Sequence, residues 1–176
     1  MTAELTETDP REEWGEERSK VVTWHEPAPT TAKGLSMAGI DYFRAMIDGV
    51  LPPPPISGLM AFTMVEAEPG RVVFTCRPDE SSYNPIGAVH GGLVCTLLDS
   101  VAGCALHSAL PQGKGYTSVE IKVNYLKAVR LSSGLLTATG TVVKAGSRVG
   151  FTEGVVTDES GAVVATATST LLVFDL

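Results

Sequence analysis

The spacing of apolar residues changes character several times along the chain. Ile40, Phe43 and Ile47 recur at helical spacing behind Ser36, which reads as a helix cap, and Gly49 with the Pro52–Pro55 run ends the segment, so a helix is predicted over 36–49. Two strand-like segments follow at about 58–67 and 71–77, and Glu68-Pro69-Gly70 between them is a tight-turn signal that predicts a hairpin. After a polar loop through Asn84, residues 90–109 read as one helix with Leu93, Leu97 and Val101 on one stripe and Val94, Leu98 and Ala105 on another. A helix apolar almost all round should be buried. From 115 onward, Val, Thr, Ile and aromatic residues dominate and predict strands at about 116–127, 134–144, 149–158 and 162–174, four in a meander-like run.

This order of elements predicts an α+β fold in which a single antiparallel sheet wraps round the long central helix, with an extra N-terminal helix. Neither an internal repeat nor a βαβ alternation is present. Residues 1–35 mix charge runs with Pro27, Pro29 and Thr30-Thr31 and hold no sustained apolar period, so an extended or mobile acidic tail is expected there, with the folded domain over 36–176. A chain of 176 residues has room for one compact domain of this kind plus a tail.

Charge narrows the classes of partner. A net charge of −7 argues against nucleic-acid binding, which needs a basic footprint. About half of that charge lies in the first twenty residues, where Glu4, Glu7, Asp9, Glu12, Glu13, Glu16 and Glu17 outnumber Arg11, Arg18 and Lys20. Within 114–148 the balance reverses, since Lys114, Lys122, Lys127, Arg130, Lys144 and Arg148 face only Glu120; a small anionic ligand would find partners there, unless these are simply solvated strand faces. Cys76, Cys95 and Cys104 have neither CxxC nor metal-finger spacing, and the acidic start lacks a basic-then-apolar leader, so a reduced, cytoplasmic setting is expected. The longest apolar stretch, 86–106, holds His90, Asp99 and several glycines; a carboxylate at mid-span is costly in lipid, so no membrane span is expected.

Asp99 is the only charged side chain between Gly91 and Leu106, and a carboxylate on an apolar helix needs a partner or a function. The preceding loop, Asn84-Pro-Ile-Gly-Ala-Val-His90-Gly91-Gly92, combines an amide, a His and consecutive glycines at a helix N-terminus. Free backbone N–H groups there, with the helix dipole behind them, stabilise a developing oxyanion. Asp99 lies eight residues beyond Gly91, which is roughly 12 Å along a helix axis. One helix therefore cannot present both to a single carbonyl, and a shared reaction centre requires the helix start of a second subunit in a two-fold dimer.

Those loop residues, Asp99 on the following helix and the later run Tyr116-Thr117-Ser118-Val-Glu-Ile-Lys-Val-Asn-Tyr125 resemble the PaaI-type (phenylacetyl-CoA-type) branch of hotdog-fold acyl-CoA thioesterases, from about residue 57 to the C-terminus and weakly into the 36–49 helix. The resemblance implies a hotdog fold, a dimer or dimer of dimers, and hydrolysis of acyl-CoA to a free acid and CoA with neither a metal nor a cofactor beyond the CoA of the substrate. It implies Asp99 as catalytic acid residue, Asn84 as the amide placing water or substrate, His90 as shaping the loop, Gly91 as oxyanion donor and Ser118 as orienting the water. Gly92, Thr117 and Val119 are implied as substrate contacts, and Gly146, Ser147 and Arg148 as the edge meeting the pantetheine and nucleotide. Whether Asp99 acts as base or nucleophile stays open, as do the acyl group, the choice of dimer or tetramer and the role of the acidic tail.

Other readings compete. A hotdog hydratase or dehydratase would use the same His and acid on a carbon chain and release no thiol from a saturated acyl-CoA. A non-catalytic acyl-CoA binder would hold CoA esters without cleaving them. Cys104 and His107, neighbours at i and i+3, would suit a nucleophilic pair, but no activating third group is evident and two core-edge residues are the simpler reading. His90, Asp99 and His107 are spread too far along one helix to share a metal.

Overall fold

The computed structural model of the protein describes residues 9–176; the tail reading for residues 1–8 lies outside them. Strands β1 (Phe62–Glu68), β2 (Arg71–Cys76), β3 (Lys114–Tyr125), β4 (Leu136–Ala145), β5 (Val149–Thr157) and β6 (Val163–Asp175) form one antiparallel sheet in the order β1-β2-β4-β5-β6-β3. β1 and β2 make the expected hairpin. The four later strands depart from the predicted meander, because β3 does not pair with β4. It crosses to the far edge and pairs with β6, from Lys114↔Asp175 to Tyr125↔Ala165. Alternating patterning states which residues form a strand and which face they share, but carries nothing about the neighbour.

The long helix α4 (Gly91–Ser108) lies in the embrace of the sheet. Leu97, Leu98, Val101, Ala105 and Leu106 are wholly enclosed against Val72, Leu136, Ala138, Val156 and Leu171, each large aliphatic contributing about 1.5–3 kcal/mol of burial. The helix presses on the sheet at Gly140 of β4, where a Cβ would stand 2.1 Å from the Val101 carbonyl oxygen, so only glycine allows this approach. By length and composition α4 could cross a membrane, yet its apolar faces pack inside the domain. Its one incompletely covered flank carries Cys95, Thr96, Asp99 and Ser100.

The N-terminal region corrects three expectations. Residues Pro27–Gly34, predicted as tail, form helix α1, begun by a proline where a missing N–H costs nothing. Helix α2 spans Gly39–Ile47, so it starts after Ser36; the Ser36 hydroxyl instead donates to the Lys33 carbonyl (2.7 Å) at the end of α1. The proline run ends α2 and also opens a short helix, α3 (Pro55–Met60), which occupies the first residues assigned to a strand; the left-handed Ala61 then turns the chain into β1. Phe43 of α2 is buried with its ring edge-on to His107 (centroids 5.2 Å), which fixes α2 against the C-terminal half of α4.

Candidate active site

Asp99 faces β3 from the open flank of α4. The Ser118 hydroxyl donates to its Oδ1 at 2.8 Å. The register of β3 explains the meeting: Tyr116 approaches Gly103 of the helix and Ser118, two residues on, shares its face. Thr117 points the other way, opposite Leu172, and is exposed. A bulge at Val119, itself 64% exposed, resets the alternation, so Ile121 and Val123 pack inward and Tyr125 reaches the helix start.

The loop before α4 is held from several sides. The Asn84 carboxamide oxygen accepts from the N–H groups of Ile86 (3.1 Å) and Ala88 (3.2 Å), while the Asn84 N–H donates to the Ala88 carbonyl (2.8 Å). Val89 donates to Val129 and His90 to Ser82 through their backbones. Arg130 Nη1 donates to the Gly87 carbonyl (2.6 Å), and the Tyr125 hydroxyl donates to the Gly91 carbonyl (2.9 Å). His90 caps the helix: its Nδ1 accepts from the Gly92 N–H at 2.8 Å, so the neutral ring carries its proton on Nε2. Gly92 therefore has its donor engaged, whereas the Gly91 N–H, at the first helical position, has no acceptor among the described residues. A polarised donor is left open where an anion would be stabilised best.

The candidate residues thus fall into two groups at opposite ends of β3. Asp99 and Ser118 lie at one end, with the Gly146–Arg148 turn on the same side of the molecule, since Val149 pairs with Leu172 and Leu172 with Thr117. That turn is closed by the Gly146 N–H on the Val149 carbonyl (3.0 Å), and Arg148 and Ser147 are exposed. Asn84, His90, Gly91 and Gly92 lie at the other end with Tyr125. One chain does not join Asp99 to Gly91. In the sequence Arg130 stands out only as part of a basic run open to an anionic ligand, and Tyr125 only as the end of the run that carries the resemblance; both hold the loop.

Two grooves flank the helix start. One of about 320 Å³ is lined by Asn84, Gly91, Val94, Tyr125 and Leu126. A larger one, about 730 Å³, runs along the other side past His90, Gly92, Leu93 and Thr96. Cys104 and His107 lie in the aromatic layer of Tyr42, Phe43 and Tyr116, where burial pushes the Cys104 thiol up to about 12 and lowers the His107 pKa. Both shifts oppose a thiolate–imidazolium pair. Among the described residues no group of three or more His, Cys, Asp or Glu is placed to hold a metal ion.

A six-stranded antiparallel sheet curled round one long helix, with an acid on the helix flank and an open donor at its start, defines a hotdog-fold α+β domain. The family model described as Thioesterase superfamily matches residues 86–165. The chain is 33% identical to human acyl-coenzyme A thioesterase 13 over 90 residues, which cover 51% of this chain and 63% of that protein's length. It is similar to a Streptococcus mutans protein solved bound to acetyl CoA (32% identity, TM-score 0.60, covering 65% of this chain and 89% of that one). A phenylacetic acid degradation-related protein from Ralstonia eutropha matches over 74% of this chain and 98% of its own (25% identity, TM-score 0.68). The chain belongs to the hotdog thioesterase family.

Proposed function

We propose that this protein is an acyl-CoA thioesterase whose reaction centre is shared between two copies of the chain. The observation that carries the reading is the Asp99–Ser118 hydrogen bond on an otherwise apolar helix whose N-terminus leaves the Gly91 N–H open. The likeness to acyl-coenzyme A thioesterase 13 and to a protein solved with acetyl CoA supports the substrate class.

The free edge of β3 supplies the geometry for joining the two halves. Antiparallel self-pairing about a two-fold axis at Lys122 sets Ile121 opposite Val123 of the partner subunit and, past the Val119 bulge, Ser118 opposite Tyr125 of the partner subunit. Each of these pairs faces inward, as antiparallel partners must. Asp99, bonded to Ser118, then approaches Gly91 of the partner subunit, bonded to Tyr125 of the partner subunit. Two equivalent sites result.

In this arrangement Asp99 takes a proton from water as the oxygen adds to the thioester carbon, and the carbonyl oxygen becomes an oxyanion facing the Gly91 N–H of the partner subunit. Collapse breaks the C–S bond, and the departing thiolate of CoA takes up the proton that Asp99 received from water, leaving free acid, CoA and the ionised Asp99. Direct attack by the carboxylate, followed by hydrolysis of the anhydride, balances equally and uses the same groups. CoA is part of the substrate, and the scheme uses no cofactor. Release of free thiol from saturated acyl-CoA esters by the purified protein tests the proposal; esters that bind and survive prolonged incubation overturn it in favour of a binding protein.

A further inference from the structure

The larger groove beside the helix start is bridged by a segment that lies outside the residues matched by the family model. Residues 18–23 precede α1 and run without helix or strand from the turn at Glu80–Ser82 to α3. Val21 is 91% exposed and Val22 is partly covered, while Lys20, also exposed, reaches across to Asp79. One end is seated at Gly58 of α3, where a Cβ would lie 2.8 Å from the Thr23 carbonyl oxygen. At the other end Lys20 Nζ donates to Asp79 Oδ2 at 3.1 Å, and Arg18 faces Glu80 at 4.0 Å. Hydrogen bonds from Ser81, and then from Lys20, hold the Asp79 carboxyl below its ordinary pKa.

Beneath this strap the lining is largely apolar, with Leu59, Met60, Ala61, Pro78 and Leu93, and it opens at one end on His90 and Gly92. A volume of about 730 Å³ lies within the usual range for a small-molecule site. Flexible Met and Leu walls accept an unbranched chain without strict shape. The two ion pairs are solvent-exposed and individually weak, so the strap is held by its fit as much as by charge.

We infer that residues 18–23, with Lys20 at the rim, close the outer side of an acyl-chain groove and that Lys20 and Gly58, as the two fixings of the strap, determine its preference for longer unbranched acyl groups over short ones. The inference rests on the acyl-CoA reading above and names the substrate class for it. The strap confines the chain and shields it from water, and a loosened strap exposes it.

Binding of non-hydrolysable thioethers separates this from catalysis. The ratio of Kd values for S-ethyl-CoA and S-octyl-CoA, measured by calorimetry, reads the groove without any turnover. Lys20→Glu repels Asp79 and Gly58→Ala pushes Thr23 away; each is expected to lower the preference for the octyl compound by about tenfold while leaving S-ethyl-CoA binding unchanged. Lys20 is at the surface, so Lys20→Glu keeps the test intact if Gly58→Ala folds poorly. An unchanged ratio in Lys20→Glu, no octyl preference in the unmodified protein, or no binding of either thioether overturns the inference. Failure to release thiol from octanoyl-CoA, with the octyl preference and its loss both present, would instead overturn the thioesterase reading alone.

Discussion

The Ser118 hydroxyl donates to Asp99 Oδ1 at 2.8 Å across the gap between β3 and α4, and in doing so fixes where the second carboxylate oxygen can point. Asp99→Asn keeps the shape but removes the base or nucleophile, so thiol release should fall roughly 10²–10⁴-fold with an unchanged circular dichroism spectrum. Ser118→Ala leaves the carboxylate but frees its rotation. A loss of about 10- to 100-fold in kcat is expected, in line with a hydrogen bond to a charged group worth about 1.5–3 kcal/mol. Near-normal turnover by Asp99→Asn would remove this residue from the mechanism.

At Gly91 the backbone donor can be deleted without breaking the helix. Proline is tolerated at a first helical position, and His90 before it already has the extended backbone (φ −60°, ψ 132°) that a following proline demands. A Cβ at 91 meets the Tyr125 ring at 3.1 Å, so Gly91→Ala controls for crowding while keeping the N–H. Gly91→Pro should lose about 10²–10³-fold in kcat relative to Gly91→Ala, the usual effect of removing one oxyanion donor. Equal rates in the two variants would mean that this N–H does not face the reacting carbonyl.

The fold was legible where one residue's environment sufficed. The period of Leu93, Leu97 and Val101 marked the buried helix, and all three are buried. Ser36 misled because a hydroxyl before an apolar run fits either end of a helix, and here it closes α1. The Pro52–Pro55 run stops α2 and also starts α3, two effects of one fixed φ that composition does not separate. At the site, His90 and Gly91 stood out as loop chemistry, but the contacts that set the loop come from Tyr125 and Arg130, more than thirty residues away. Such partners follow from β3 pairing with β6 at the sheet edge and from the Val119 bulge, neither of which leaves a periodic trace in sequence.

Cys104 should be dispensable. Its thiol is pushed up to about 12 by burial, so almost none is thiolate at neutral pH, and partial burial makes the nearby His107 a weaker base than a free imidazole. Cys104→Ala is expected to keep thiol release within about twofold, with any loss appearing in Tm rather than in the pH profile. Abolished turnover in a folded variant would revive a cysteine mechanism.

Acid stability should depend on Asp158. Its side chain is enclosed and accepts from Lys127 Nζ (2.6 Å), Ser160 and the Ala162 N–H, and the Lys127 bond, followed by that from Ser160, holds the carboxyl well below its ordinary pKa. A depressed folded-state pKa stabilises the protein above the unfolded value, about 3.9, and that contribution is lost as the pH falls below it. Asp158→Asn should lower Tm at pH 7 and flatten the fall of Tm below about pH 4. Parallel Tm curves for the two proteins would show that this carboxylate is not linked to folding.

The shared site makes a prediction that no single-chain mechanism can reproduce. In the proposed dimer, Asp99→Asn inactivates its own end of each site but still supplies an intact helix start, and Gly91→Pro does the reverse. A mixed dimer of the two therefore contains one site with both defects and one with neither. After unfolding and refolding an equal mixture, random pairing makes about half of the dimers mixed, each with one of two sites restored, so about a quarter of the unmodified activity should return. Were Asp99 and Gly91 to act within one chain, every site would keep a defect and mixing would restore nothing. Because both variants are nearly inactive alone, the recovered rate can be read directly by thiol release, with sizing chromatography to confirm that dimers have formed. A mixture no more active than the average of its parents, with dimers present, would break the link between the two ends of β3 on which the mechanism depends.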